Sequence, residues 1–322
     1  MGQALRRAFL CGNDEFSGQS YEHRKQWVVD KLAELAHVFS IDVCACAIKS
    51  NHYHLVLHIN QLQAWSDNKV IEHWTLLFKA PLLIDKMKKG EHLSKAEQKQ
   101  ALELVQEWRN RLTDLGWFMR CLNESLARQA NAEDNCTGRF WEGRYKSQAL
   151  LDEQALLTCM SYVDLNPVRA GITPTPESSD YTSIQARIQT YQAPTPEHNQ
   201  DSSQTTQTPV KLIDFNGHEH KNQPKGIAFS LPDYLELVDW TGRAVRDDKT
   251  GAIADNLPPI LSRLGIEQKA WLDTINHYDR RFFRAVGTLE KLKQFANRLG
   301  QSWLKGQSAG KRVYQQKQPL PT

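Results

Sequence analysis

Residues 41–50, IDVCACAIKS, and 51–59, NHYHLVLHI, decide how this chain folds. Both stretches are rich in Val, Ile, Leu, Cys and Tyr, the residue types that fit a pleated, half-buried surface. Polar Lys49, Ser50 and Asn51 separate them, so the pattern predicts a two-stranded hairpin that breaks near Ser50. Just upstream, residues 20–39 set Trp27, Val28, Leu32, Leu35, Ala36 and Phe39 at three-to-four spacing between charged residues, the stripe of an amphipathic helix.

Residues 65–130 read as helical throughout. The clearest section is SKAEQKQALELVQEWRNRLTDLG, in which Ser94 is expected to cap with Glu97 or Gln98 and Gly116 to stop the helix. Residues 131–152 carry Gly138 and Gly143 among aromatic and basic residues and predict a loop that leads into a short strand. Asp152 then caps a helix that runs to Asn166 and is ended by Pro167 and Gly171. This mixture of hairpin and helices is an α+β pattern. From residue 173 to 211 the composition shifts to Thr, Pro, Ser, Gln and Glu, as a linker does, with one short helix expected around Ile184 to Ile188. Four amphipathic helical segments follow over 212–310, and residues 311–322 form a basic tail.

With 322 residues the chain is long enough for two domains or for one with a substantial extension. Its 40 Lys+Arg against 37 Asp+Glu leave a net charge of +3, so any nucleic-acid role rests on where the cations sit rather than on their excess. No run approaches the roughly 18 apolar residues of a membrane span, and the start turns polar before a signal-peptide core forms. A soluble, cytoplasmic protein is expected. The 6 cysteines show no C-x-x-C spacing, which argues for reduced thiols and against a zinc finger or a disulfide scaffold. Cys44 and Cys46, two apart in a strand, are expected on one face as small buried hydrophobes.

Three features carry chemistry. Side chains alternate across a strand, so His52 and His54 share a face while Tyr53 points away, and both imidazoles can reach one metal ion. A lone H-x-H is also a common structural or solvent-facing pattern. His58 shares that face but lies about 13 Å along the strand from His54, too far for the same ion. Second, Tyr162 and Asn166 are four apart in a predicted helix, which stacks a hydroxyl over an amide oxygen; core packing and helix capping are the plain alternatives. Third, Arg139, Phe140, Trp141, Arg144, Tyr145 and Lys146 interleave cations for phosphates with flat faces for bases, although a strand with inward aromatics has the same composition. Arg169 beyond Pro167, and Arg6 and Arg7 near the start, are further phosphate-facing candidates.

SNHYHLVL, GRFWEGRYK and especially YVDLNPVRAG together resemble the single-tyrosine HUH transposases, and among them the REP-associated tyrosine transposases, over about Arg6 to Gly171. The resemblance implies a ferredoxin-like antiparallel sheet with helices packed on one face. It implies His52, His54 and Asn166 as ligands of a divalent metal, Mg or Mn, and Tyr162 as the nucleophile. Arg6, Arg7, Arg139, Trp141, Arg144, Lys146 and Arg169 are then the DNA-binding set. The substrate it implies is single-stranded DNA with hairpins, cut and rejoined through a 5′-phosphotyrosine link, by a protein that is nucleoid-associated when bound and works as a homodimer. On this footing residues 1–172 are the catalytic domain, 173–211 the linker, 212–310 a helical accessory domain and 311–322 the tail.

The chain departs from the family at its start, where Met1 to Leu5 leave almost no room for the opening strand, so most of it is expected to be missing or replaced by residues 3–10. An inactive hairpin-binding module is therefore the first alternative. A metal-dependent hydrolase of small phosphoesters is the second, and it lacks the further carboxylate ligands that a two-metal site requires. Tyr234, Trp240, Trp271, Tyr278, Phe282 and Phe283 recur at helical spacing and are expected in the core. Arg243, Arg246, Arg280, Arg281, Arg284, Lys291 and Lys293 form either a positive face or ordinary solvated helix surface.

Overall fold

The computed structural model describes residues 2–3, 10–14, 18–61, 65–192, 210–217, 226–245, 261, 264 and 266–314. The hairpin forms where its composition places it. Strand β2 (Ile41–Ile48) pairs antiparallel with β3 (His52–Ile59), with Ile41 opposite Ile59 and Ile48 opposite Tyr53. On the other edge of β3 lies β1 (Gly2–Gln3), with Gly2 opposite Tyr53 and Gln3 opposite His52, giving the order β1-β3-β2. The opening strand is thus short but present, because two residues pair with the edge that would otherwise stand open. Arg6 and Arg7 lie outside the described residues.

The architecture is α+β, but helices cover both faces of the sheet rather than one. The reason lies in β2, whose near-continuous apolar run is the signature of a strand buried on both sides. Ile41, Val43, Cys46 and Ile48 join one core; Cys44, Ala45 and Ala47 join the other. A register shift between Val43 and Ala45 makes this split, so Cys44 and Cys46 face opposite ways instead of sharing a face.

On the first face α1 (Arg24–Val38) sets Val28, Leu32 and Leu35 into the core beside Phe118, Leu122 and Leu126 of α5 (Leu115–Glu133). Helices α2 (Asp67–Thr75), α3 (Leu82–Lys88) and α4 (Lys95–Leu112) complete this layer, with Trp74 stacked on Trp108 at 5.4 Å. Ser94 and Glu97 form the expected capping box on α4. Gly116 does not stop that helix: α4 ends at Leu112, Asp114 caps α5 by accepting from Trp117 N–H, and Gly116 falls in the first turn of α5.

The second face is covered by α6 (Glu153–Asp164), entered from β4 (Ala149–Leu150) and capped by Asp152, which accepts from Ala155 N–H at 2.8 Å. Pro167 does not end the helical path but sits in the first turn of the short α7 (Asn166–Arg169), where a missing N–H costs nothing. The stretch with linker composition divides. Residues 193–209 lie outside the described residues, whereas α8 (Ser183–Gln192) packs on the sheet. It closes the free edge of β2: Ser183 Oγ accepts from Cys46 N–H at 2.9 Å, and the buried Arg187 donates to Cys44 C=O at 2.8 Å. These contacts are polar and made to backbone, so no apolar periodicity announced them.

Helices α9 (Leu231–Ala244), α10 (Gln268–Asn276) and α12 (Gln307–Val313) share one core with α6 and with Ala45, Ala47 and Val56 of the sheet. The described residues after 211 therefore share the second-face core with α6 and the sheet instead of forming an accessory body beyond a linker. Likewise residues 311–314 are not frayed tail: Val313 and Tyr314 are buried, and the Tyr314 hydroxyl meets Thr158 Oγ1 at 2.7 Å. No described helix is long and apolar enough to cross a membrane.

Asp164 joins these parts. Its wholly buried carboxylate accepts from Ser183 Oγ of α8 and, at 2.5 Å, from the Tyr234 hydroxyl of α9. Removing it takes the acceptor from the Tyr234 hydroxyl and leaves Ser183 Oγ only the Cys46 C=O at 3.3 Å, with each lost buried bond worth about 1–3 kcal/mol. Asp164→Ala is expected to lower unfolding free energy by about 2–5 kcal/mol in urea titration and Asp164→Asn by about half as much, since the amide keeps one acceptor.

Candidate metal and nucleophile site

Strand alternation does what the hairpin pattern implied. Tyr53 points into the first core and donates to Asn123 Oδ1 at 2.6 Å, which frees His52 and His54 to face α6 together. Their rings meet edge to face at 5.0 Å. Nδ1 of His52 lies 2.6 Å from Asn51 Oδ1, an acceptor that holds the proton on Nδ1 and leaves Nε2 as a lone-pair donor. His58 is excluded as expected: at the far end of β3 its Nδ1 lies 3.4 Å from Asp42 Oδ2.

The end of α6 and the start of α7 bring the other two residues to this face. The Tyr162 ring lies edge-on to His54 at 5.7 Å, and the Asn166 amide nitrogen is 3.4 Å from His54 Nε2. Asn166 is buried and its Oδ1 has no hydrogen-bond partner. A half-turn of the amide exchanges its two ends, so the orphaned oxygen can face the imidazoles. Two imidazoles plus an otherwise unsatisfied amide oxygen fit a divalent cation such as Mg²⁺ or Mn²⁺, with water completing the shell. The described residues contain no group of three or more His, Cys, Asp or Glu side chains arranged to hold a metal, so any ion here depends on the amide.

Electrostatics favour an anion beside these side chains. Burial first, then Lys49, lowers His52 to about 4, and burial holds His54 well below its ordinary value. Both rings are therefore neutral donors at neutral pH. Lys49 itself is lowered, by burial and then by Arg169. The Arg169 guanidinium lies 4.6 Å from the Tyr162 ring centre and donates to Asn276 C=O at 3.0 Å, while its buried Nε has no partner. Burial raises the Tyr162 hydroxyl, Asp279 adds to the rise, and Arg169 opposes it by charge and by hydrogen bond.

Sequence reasoning missed Tyr278, which opens α11 (Tyr278–Arg281) and stacks on Tyr162 at 4.5 Å. Helical spacing marked it correctly as buried but gave no sign of which ring it meets. Asn51 and Lys49 were passed over as turn residues. Of the aromatic and basic stretch, Trp141 is drawn into packing: its indole N–H donates to Asn123 C=O at 2.8 Å and its ring meets Tyr53 at 5.9 Å. Its environment suits a core residue better than a base-stacking one. Arg139 donates to Trp141 C=O at 2.9 Å, and Arg144 and Lys146 are exposed. Against protein-family models, curated proteins and solved structures, the chain has no match.

The histidine shifts set a pH dependence. Folded pKa values below the unfolded 6.5 mean that the unfolded chain takes up protons that the folded pair refuses, so stability is full above about 6.5 and is lost as pH falls toward about 4. In EDTA, the urea midpoint of the wild type should drop more between about pH 7 and about pH 4.5 than that of the His52→Gln, His54→Gln double variant.

Proposed function

We propose that this chain is a metal-dependent DNA strand transferase that cleaves and rejoins single-stranded, hairpin-bearing DNA through a tyrosine link, as its resemblance to the REP-associated tyrosine transposases implies. One observation carries the proposal: Tyr162 and Asn166, more than a hundred residues along the chain from the histidines, converge on His52 and His54. A second supports it. With β3 antiparallel to both neighbours, β1 and β2 run parallel across it with α1 between them, the split βαβ half of a ferredoxin-like fold.

The chemistry follows from the side chains. A phenol is a poor nucleophile at neutral pH and a phosphodiester a poor electrophile, so both need help. A divalent cation supplies Lewis-acid polarisation of the phosphoryl oxygen when bound. Neutral His52 and His54 and the Asn166 oxygen would hold it without adding negative charge, so a phosphate would not be repelled. Arg169 favours the phenolate of Tyr162 and keeps its ring in place. The phenolic oxygen bonds to phosphorus, the bond from phosphorus to the 3′ oxygen breaks, and that oxygen takes up the proton that the phenol gives up. The link retains the ester, so an incoming 3′-OH reverses the step and joins strands without ATP.

The burial of Tyr162, 7% exposed, favours one competing reading: a hairpin-binding module without turnover. Purified protein incubated with labelled hairpin oligonucleotides from its own genomic flanks, with Mn²⁺, Mg²⁺ or EDTA, separates the two on a denaturing gel. A metal-dependent protein–DNA band is expected. Tyr162→Phe should abolish it, and Asn166→Ala or His54→Ala should reduce it at least tenfold, in line with loss of a metal ligand. Tight binding with no covalent band in any metal would leave the binding module as the function.

A further inference from the structure

We propose that the exposed edge where the chain enters β4 and β5 is a second DNA site, a strip that binds single-stranded DNA beside the reacting phosphate. It deepens the transferase reading and rests on it for the identity of the ligand. Strand β5 (Ala285–Val286) pairs parallel with β4, Ala149 opposite Ala285, with Ala149 N–H donating to Arg284 C=O at 2.9 Å. Parallel pairing puts the residues that precede each strand at the same end. Arg144 and Lys146 precede β4 by five and three residues, and Arg280, Phe283 and Arg284 precede β5 by five, two and one.

The two adjacent phenylalanines have opposite fates. Phe282 is 1% exposed and packs against Tyr278 at 5.5 Å, while Phe283 is 63% exposed and faces water. Its place in the core, expected from helical spacing, fails because α11 ends at Arg281 and extended backbone follows, which sends neighbouring side chains to opposite sides. An exposed phenylalanine alone means little. Here it lies in sequence between two exposed cations, Arg280 and Arg284, and among the described residues no carboxylate forms an ion pair with either or with exposed Arg144. Arg281 is different, being engaged by Asp273. Exposed Glu142 and Asp279 are the nearby anions along these two segments, fewer than the cations.

A flat apolar face beside exposed guanidiniums is what a single strand needs, since its bases offer π-faces and its backbone a phosphate row. Duplex DNA, with its bases stacked inside, cannot use Phe283. The strip also starts at the candidate site, because Tyr278, which stacks on Tyr162, lies five residues before Phe283 in the same segment.

The test is fluorescence anisotropy of the full chain with a labelled oligo-dT of about 20 nucleotides, long enough to cover a typical single-strand site. The background is Tyr162→Phe, so that no covalent product forms. Phe283→Ala should weaken binding roughly fivefold to a hundredfold, the worth of one stacked base, and Phe283→Tyr should restore it. Arg280→Ala with Arg284→Ala should flatten the salt dependence by roughly 0.7 in log–log slope per lost phosphate contact. Binding unchanged in the Phe283→Ala and double-arginine variants, no binding by the parent, or a loss of duplex binding as large as that of single strand would each overturn the strip. Far-UV circular dichroism checks that these surface changes leave the fold intact. Adduct formation by the Tyr162-bearing protein reports separately: a covalent band with no effect of Phe283→Ala refutes the strip alone, and loss of binding in Phe283→Ala with no band in any metal refutes the transferase alone.

Discussion

The buried carboxylate of Asp164 is the tie on which the rest of this structure depends. It stands at the last turn of α6, between Tyr162 and Asn166, and it is held from two directions by Ser183 and Tyr234. Ser183 is in turn bonded to the backbone of Cys46, so the tie reaches the edge of the same hairpin that carries His52 and His54. Burial raises its pKa and the nearby Arg187 opposes the rise, which marks a network satisfied by geometry rather than by solvent. Because α6 cannot slide along the sheet without breaking these bonds, the distance from Tyr162 to His54 is fixed by a residue that touches neither.

The hairpin, its alternation and the histidine pair were legible in the sequence, since a period of two and β-rich composition are local signals. So were the caps at Ser94 and Asp152, which need a few adjacent residues. What escaped was non-local. The two-sided burial of β2 was present as an unbroken apolar run, yet the bulge that sends Cys44 and Cys46 apart has no sequence mark. Helix α8 is legible as the short helix expected around Ile184 to Ile188, but its docking on the sheet is not, because that work is done by Ser183 and Arg187 on backbone carbonyls and amides. The core role of residues after 211 was hidden too, since amphipathic helices show that they have an apolar face but not what it covers.

At the candidate site the residue types were legible and their partners were not. Tyr162 and Asn166 were placed on one helical face, and the structure carries them into separate helices with Leu165 between, still near the same imidazoles. The orphaned Asn166 oxygen, the neutral histidines and the cations Lys49 and Arg169 set neutral lone-pair donors beside positive charge. The C-terminal helices supply the face of Tyr278 against the Tyr162 ring, so the part of the chain outside the resemblance shapes the part within it.

The central claim is that the Tyr162 oxygen bonds to phosphorus. Mass spectrometry of tryptic peptides, after incubation with hairpin DNA and Mn²⁺ and nuclease trimming, tests it directly. The expected result is a nucleotide mass on the peptide Ser147–Arg169, in which Tyr162 is the sole tyrosine. A nucleotide on the peptide that carries Tyr278, or none on any peptide, would contradict the account.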